Sequence, residues 1–345
     1  MKAFRLMEWL HDGTVEETTQ PDPQPGQVLV RVGGAGACHS DLHLMHDFPP
    51  GLLPWGPPFT LGHENAGWVE ALGAGVTGLE VGEPVAVYGP WGCGRCARCA
   101  AGAENYCLRG GPAHPAGGGL GLDGGMAPLM LVPDARLLVP LGDLDPVESA
   151  PLTDAGLTPY HAIKRSLPKL GAGTNAVVIG AGGGLGHMAV QLLAALSPTT
   201  VIAVDQSDAG LARARSLGAT HAVASADGAA AVRDHAGGRG CELVLDLVGN
   251  DATLALAAQC ATAEGDLTIV GIGGGTLPVS FFGTPYEASV TTTYWGSRPE
   301  LHEVLALAAR GQIRAEVQRF SLDDAASAYD AMRDGTLEGR AVIVP

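Results

Sequence analysis

Charge is scarce in this chain, and positive charge scarcer still. Charged residues make up 16% of the 345, with 20 Lys or Arg against 36 Asp or Glu, a formal net charge of −16 at pH 7. Affinity for nucleic acid comes largely from Lys and Arg neutralising phosphates, so no nucleic-acid partner is expected. There are only three lysines, Lys2, Lys164 and Lys169; with Arg as the main base this reads as genomic base composition and carries no functional inference. A basic leader followed by a short apolar core is missing as well, since residues 1–6 read as a strand, and a cytoplasmic location is expected. Nor is there a membrane span. Residues 170–204 hold no Asp, Glu, Lys or Arg, but glycines at 180, 182, 183, 184 and 186 and Pro198 interrupt them. What remains is a helix of about 12 residues, ~18 Å long against a hydrocarbon core of ~30 Å, so a buried strand, turn, helix and strand fit better.

Hydrophobic residues, by contrast, reach 46%, and the 51 glycines are about twice the roughly 7% usual in proteins. The glycines lie between hydrophobic runs, which excludes disorder and collagen, and the length suggests two domains. The first 150 residues favour strands: Val28, Val30 and Val32 alternate with Leu29 and Arg31, and residues 82–89 (GEPVAVYG) form a short strand between turn formers. Helical periodicity is scarce there. After about Thr158 short apolar strands (176–180, 201–204, 243–247 and 267–271) alternate with helical segments. On one of these Leu185, Met188, Ala189, Leu192, Leu193 and Leu196 form a single apolar stripe. Such alternation calls for an α/β domain with a doubly wound parallel sheet. From about Ser297 the rhythm ends, and residues 341–344 read as a last strand that returns to the first domain.

Cys93, Cys96, Cys99 and Cys107, spaced x2, x2 and x7, carry the strongest chemical signal. Four thiolates gathered by short turns make a closed tetrahedral zinc site. An iron–sulfur run would end C-x3-C-P, whereas the last gap here is seven and Leu108 follows. Disulfides fit poorly with an odd cysteine count. Cys38 in ACHSD and His63 in GHE, 25 residues apart, form a second possible zinc pair; a lone His after a strand is more often structural, and a catalytic zinc needs a third protein ligand from elsewhere. The third signal is residues 180–186, GAGGGLG, following a strand and preceding the striped helix. Gly180, Gly182, Gly183, Gly184, Leu185 and Gly186 would bring a pyrophosphate close to a helix N-terminus. The run departs from G-x-G-x-x-G by one residue, but the next strand ends in Asp205, 19 residues on, where a carboxylate can accept from ribose hydroxyls.

With these motifs in view, the chain resembles the zinc-dependent medium-chain alcohol dehydrogenases, most of all the bacterial broad-range secondary-alcohol enzymes. The likeness also takes in DAGLTPYHA at residues 154–162 and YWGS at residues 294–297. It implies a GroES-like β-rich catalytic domain at 1–155 and 297–345, with a zinc lobe near 90–110, and a Rossmann NAD-binding domain at 156–296. It further implies two zinc ions per chain, the catalytic one held by Cys38, His63 and Asp154, although many relatives carry Cys where Asp154 stands. Glu64 would sit behind that metal, and Asp41 would accept a hydrogen bond from the far nitrogen of His63. Ser40 would take the proton of the alcohol and pass it by way of the nicotinamide ribose to His43 at the surface, and His39 would touch the pyrophosphate. Trp55, Leu120, Ile272, Phe282, Tyr294 and Trp295 would line the cleft, with Ile272 and Trp295 also meeting the cofactor.

The chemistry expected is zinc acting as a Lewis acid on a bound hydroxyl, with hydride passing to the nicotinamide. With no Arg or Lys clamp in view, uncharged alcohols and ketones are expected, and the resemblance implies secondary, and some primary, alcohols and their ketones or aldehydes. The rivals are a polyol or aldehyde-linked zinc dehydrogenase and a zinc-stabilised NAD-binding protein without catalysis. A homodimer or homotetramer is expected. His11, His114, His221, His235 and His302 read as surface residues without neighbours of chemical interest.

Overall fold

Val, Leu and small residues crowd the central strands so densely that the inside-outside alternation read in the sequence disappears. A computed structural model of the chain describes residues 1–110 and 114–345. Strand Val28–Gly36 leaves only Arg31 exposed, its guanidinium 4.3 Å from the centre of the Trp68 ring. Other elements cover both faces of this strand, which removes the need for a polar side.

Val28–Gly36 is the axis of the first unit, Met1–Leu157 with Gly296–Pro345. The strand order is Leu138–Pro140, Pro84–Val87, Glu64–Leu72, Val28–Gly36, Arg340–Val344 and Val317–Ser321, with Leu129–Val132 also paired to Val28–Gly36. Every pairing is antiparallel except that of the last two strands in this order. The C-terminal strand returns as expected, setting Val342 opposite Gly36 and Ile343 opposite Ala35. A smaller sheet joins Thr14–Glu17, Lys2–Leu6 and Phe59–Thr60. One helix here lies where helical periodicity is faint, His39–His46. Local capping accounts for it, because the Asp41 carboxylate accepts from the Cys38 N–H at 2.9 Å and so satisfies a donor at the helix start.

The second unit, Thr158–Trp295, holds a parallel sheet ordered His221–Ala224, Thr200–Asp205, Asn175–Ile179, Cys241–Asp246, Ala261–Ile269 and Ser289–Thr292. In chain order this is 3-2-1-4-5-6, the doubly wound arrangement, whose switch point lies between the first and fourth strands. Two expectations need correction. Helix Gly186–Leu196 buries more than one stripe: His187, Val190 and Gln191 are buried beside Met188, Ala189, Leu192 and Leu193, while Leu185 and Leu196 are only half-buried. The helix packs on two strands and on helix Asp208–Ser216, so polar positions are covered as well, and Gln191 satisfies its amide on the His187 carbonyl at 3.0 Å. The strand expected from residue 267 starts at Ala261, its opening hidden by a register shift opposite Cys241 and by Glu264 at φ +59. Further, His221 and His235 are not isolated, since their rings stack with centroids 4.2 Å apart. Among the described residues no helix is long and apolar enough to cross a membrane.

Candidate functional site

Three turns of the first unit converge. Cys38 precedes helix His39–His46, His63 stands between strands Phe59–Thr60 and Glu64–Leu72, and Asp154 follows the 3-10 turn Ala150–Thr153. One sulfur, one nitrogen and one carboxylate oxygen of this trio all lie within 4.8 Å of one another; His63 Nε2 is 3.6 Å from Asp154 Oδ2. Cys38 and His63 are buried, at 5% and 2% exposure, whereas the Asp154 side chain keeps 13%. Three unlike donors in this arrangement suit a zinc ion that keeps a fourth position for substrate. Ser40 joins them, its Oγ 3.6 Å from Cys38 Sγ. His43 lies one turn along the helix with Nδ1 held by Asp47, while His39 is exposed at the helix start.

Behind the donors stands a buried polar layer. Asp41, fully buried, accepts from the Cys38 N–H and from the Tyr329 hydroxyl through Oδ2, at 2.9 and 2.8 Å. Its Oδ1 lies 3.1 Å from His63 Nδ1. Burial would lower the His63 pKa, but Asp41 and the other anionic neighbours outweigh it and hold it well above its usual value. Glu64 is clasped by Arg340 through Nε to Oε2 at 2.8 Å and a terminal nitrogen to Oε1 at 2.5 Å, and it also accepts from the Ala155 N–H at 3.0 Å. That last bond ties His63's neighbour to Asp154's neighbour. Gly36 makes room for the pair, because a Cβ there would lie 2.0 Å from Glu64 Oε2. Burial raises the Glu64 pKa against the pull of Arg340. Sequence reasoning missed Tyr329 and Arg340, which stand 288 and 276 residues from their partners with no local motif to mark them.

The four-cysteine lobe is built locally. Sulfurs of Cys93, Cys96, Cys99 and Cys107 also lie within 4.8 Å of one another. Backbone N–H groups of Cys99 and Leu108 point at Cys96 Sγ, at 3.5 and 3.4 Å, and lower its pKa to about 6. Cys96 thus offers a thiolate, the form a metal requires. None of the seven cysteines is paired in a disulfide. Buried Glu104 flanks the lobe, 3.3 Å from Arg298 and 3.6 Å from Arg136.

In the second unit the glycine turn leads from strand Asn175–Ile179 into helix Gly186–Leu196. Gly182 and Gly186 are steric necessities, since added Cβ atoms would lie 2.3 Å from Gly210 Cα and 2.0 Å from the Gly180 carbonyl oxygen. Asp205 ends its strand with Oδ2 accepting from Gly182 N at 2.8 Å and Oδ1 from Ser207 N at 3.0 Å. The carboxylate therefore braces the turn. Arg213, which drew no attention in the sequence, donates to the Gly182 carbonyl at 2.8 Å.

The expected cleft residues divide. Trp55 is half-buried, its ring 6.0 Å from Trp9 and 6.2 Å from Phe59, and Leu120 is half-buried as well. Trp295 is 6% exposed and its ring meets Tyr294 at 5.6 Å. Phe282, Ile272 and Tyr294 are exposed at 90%, 55% and 47%. Ile272 and Phe282 lie in the irregular segment after strand Ala261–Ile269, where the Phe282 ring meets that of Phe281 at 5.0 Å.

A GroES-like sheet bearing a convergent donor set, joined in one chain to a doubly wound nucleotide-binding fold, defines a zinc-binding dehydrogenase. Residues 24–143 match the alcohol dehydrogenase GroES-like domain and residues 184–310 the zinc-binding dehydrogenase domain. A NAD-dependent alcohol dehydrogenase of Sulfurisphaera tokodaii is 34% identical, with all of both chains covered. An alcohol dehydrogenase of Geobacillus stearothermophilus is also 34% identical, over 99% of this chain and 98% of the relative. The alcohol dehydrogenase of Aeropyrum pernix superposes with a TM-score of 0.92 at 37% identity over the whole of both chains. The chain belongs to the zinc-dependent medium-chain alcohol dehydrogenase family.

Proposed function

We propose that the chain is a NAD-dependent alcohol dehydrogenase that interconverts secondary, and some primary, alcohols with their ketones or aldehydes. The observation that carries this reading is the gathering of Cys38, His63 and Asp154 donor atoms within 4.8 Å, with the Asp154 side chain partly open. Cys38, His63 and Asp154 hold the catalytic zinc, and Cys93, Cys96, Cys99 and Cys107 the structural one. Zinc held by the three donors supplies a Lewis acid for the substrate oxygen, and NAD supplies the hydride acceptor. Ser40, beside Cys38, accepts the hydroxyl proton. His43 takes the proton onward; Asp47 holds its Nδ1, so Nε2 is the nitrogen that receives it. Asp41 orients His63, and Glu64 with Arg340 holds the loops behind Asp154. Gly180, Gly182, Gly183, Gly184, Leu185 and Gly186 receive the cofactor pyrophosphate and Asp205 its ribose, with His39, Ile272 and Trp295 completing the cofactor contacts.

NADH formation measured over a panel of primary, secondary and polyhydroxy alcohols, with and without a chelator, tests the reading. Fastest turnover of secondary alcohols, lost with the chelator, is the expected result. Turnover confined to polyols or sugars would replace it, and chelator-insensitive turnover would overturn the metal's role. That none of the seven cysteines is in a disulfide supports a reducing, cytoplasmic location. Exposed Phe281, Phe282 and Tyr286 support a homo-oligomer, checked by light scattering.

A further inference from the structure

The Asp41 carboxylate has three anchors, and only the one to His63 was foreseen. The Cys38 N–H comes from the next turn of chain, at 2.9 Å, and His63 Nδ1 faces Oδ1 at 3.1 Å. The third, Tyr329, belongs to the distant helix Ala325–Arg333 and donates its hydroxyl to Oδ2 at 2.8 Å. We infer that Tyr329 is a positioning residue for the catalytic zinc, acting through Asp41 on His63; the inference rests on the proposed reading of Cys38, His63 and Asp154 as zinc ligands.

The argument is one of orientation. A carboxylate with one oxygen held by a single N–H can swing about that bond. With both the N–H and the hydroxyl on Oδ2, the plane of Asp41 is set and Oδ1 is aimed at His63 Nδ1. That keeps the imidazole proton on Nδ1 and turns the lone pair of Nε2 toward Asp154 and Cys38, the direction a metal needs. Tyr329 is itself immobilised. It is 2% exposed, its ring stacks on Phe4 at 5.8 Å with a 16° tilt, and its hydroxyl also lies 3.5 Å from Met126 Sδ. Burial and Asp41 both push the phenol's pKa well above its usual value, so the hydroxyl remains a donor throughout the working pH range. The helix near the C-terminus is thereby joined to a ligand contributed by the first 70 residues.

The test is zinc release from the purified holoenzyme into a chelating dye, followed as two phases, one from the three-donor site and one from the four-cysteine lobe. Tyr329→Phe removes one oxygen and retains the ring that stacks on Phe4. Outer partners of metal ligands typically affect affinity 10- to 100-fold, so the three-donor phase should quicken by about tenfold or more while the four-cysteine phase keeps its rate. Asp41→Asn should quicken the same phase, and in that background Tyr329→Phe should add less than about twofold, because its route to His63 is already broken. Release at the wild-type rate overturns the inference. So does equal acceleration of both phases, or a full Tyr329→Phe effect in the Asp41→Asn background, either of which assigns Tyr329 to general packing. Asp154→Ala separates the two levels: a variant that still releases two zinc ions in wild-type phases removes the ligand reading itself, whereas loss of one zinc there beside an unchanged Tyr329→Phe removes only the role of Tyr329.

Discussion

Replacing Arg340 by Met asks how much the buried pair behind Asp154 contributes. Glu64 is fully buried and the Arg340 side chain is 3% exposed, with two charge-assisted bonds between them at 2.5 and 2.8 Å. In the single variant Glu64 keeps only the Ala155 N–H and becomes an uncompensated buried carboxylate, a change that costs about 3–5 kcal/mol. For a unit of this size ~1 kcal/mol moves the melting temperature by about 2–4 °C, so a drop of roughly 6–20 °C is expected. The double variant Arg340→Met with Glu64→Met leaves neither charge behind, and replacing both partners of a buried pair is often close to neutral. It should recover most of the lost temperature. Calorimetric melting of the zinc-loaded wild type, single and double variants at one pH provides the comparison. A single variant that melts within about 2 °C of wild type, or a double variant no better than the single, would refute the idea that pairing, and not side-chain volume, holds these loops.

Asp154→Ala should reduce the zinc content from two per chain to one and abolish turnover with the four-cysteine lobe intact; elemental analysis beside an activity assay checks both, and near-normal turnover with two zinc ions counts against Asp154 as a ligand. His43→Ala should slow alcohol oxidation by about 10²- to 10⁴-fold, most at low pH, with external buffer restoring part of the rate; an unchanged pH profile would return His43 to the role of an ordinary loop histidine paired with Asp47. Asp205→Ser with Gln206→Arg should move cofactor preference toward NADP, since a lost charge-assisted hydrogen bond costs about 1.5–3 kcal/mol, roughly ten- to a hundredfold. Because Asp205 also braces Gly182 and Ser207, the loss of NAD efficiency should exceed the gain with NADP, measured as kcat/KM for each at one alcohol concentration.

What the sequence could determine alone is what neighbouring residues accomplish among themselves. The four cysteines fall within fifteen positions, so their gathering needs only tight turns, and the spacing x2, x2, x7 already implies it. The strand, glycine turn, helix and acidic strand end of the nucleotide unit are likewise one continuous stretch, and the parallel sheet follows from the alternation of its elements. The helix His39–His46 was missed despite its short-range signal, the acidic residue three places after Cys38, because an eight-residue polar helix has too little apolar periodicity to register. Cys38, His63 and Asp154 were named together by family resemblance; their spacings of 25 and 91 residues carry no geometry by themselves. Their convergence, the clasp of Glu64 by Arg340 and the bond from Tyr329 to Asp41 belong to tertiary structure. The last two depend on the C-terminal segment returning beside Val28–Gly36, which brings side chains 276 and 288 residues apart within hydrogen-bonding distance.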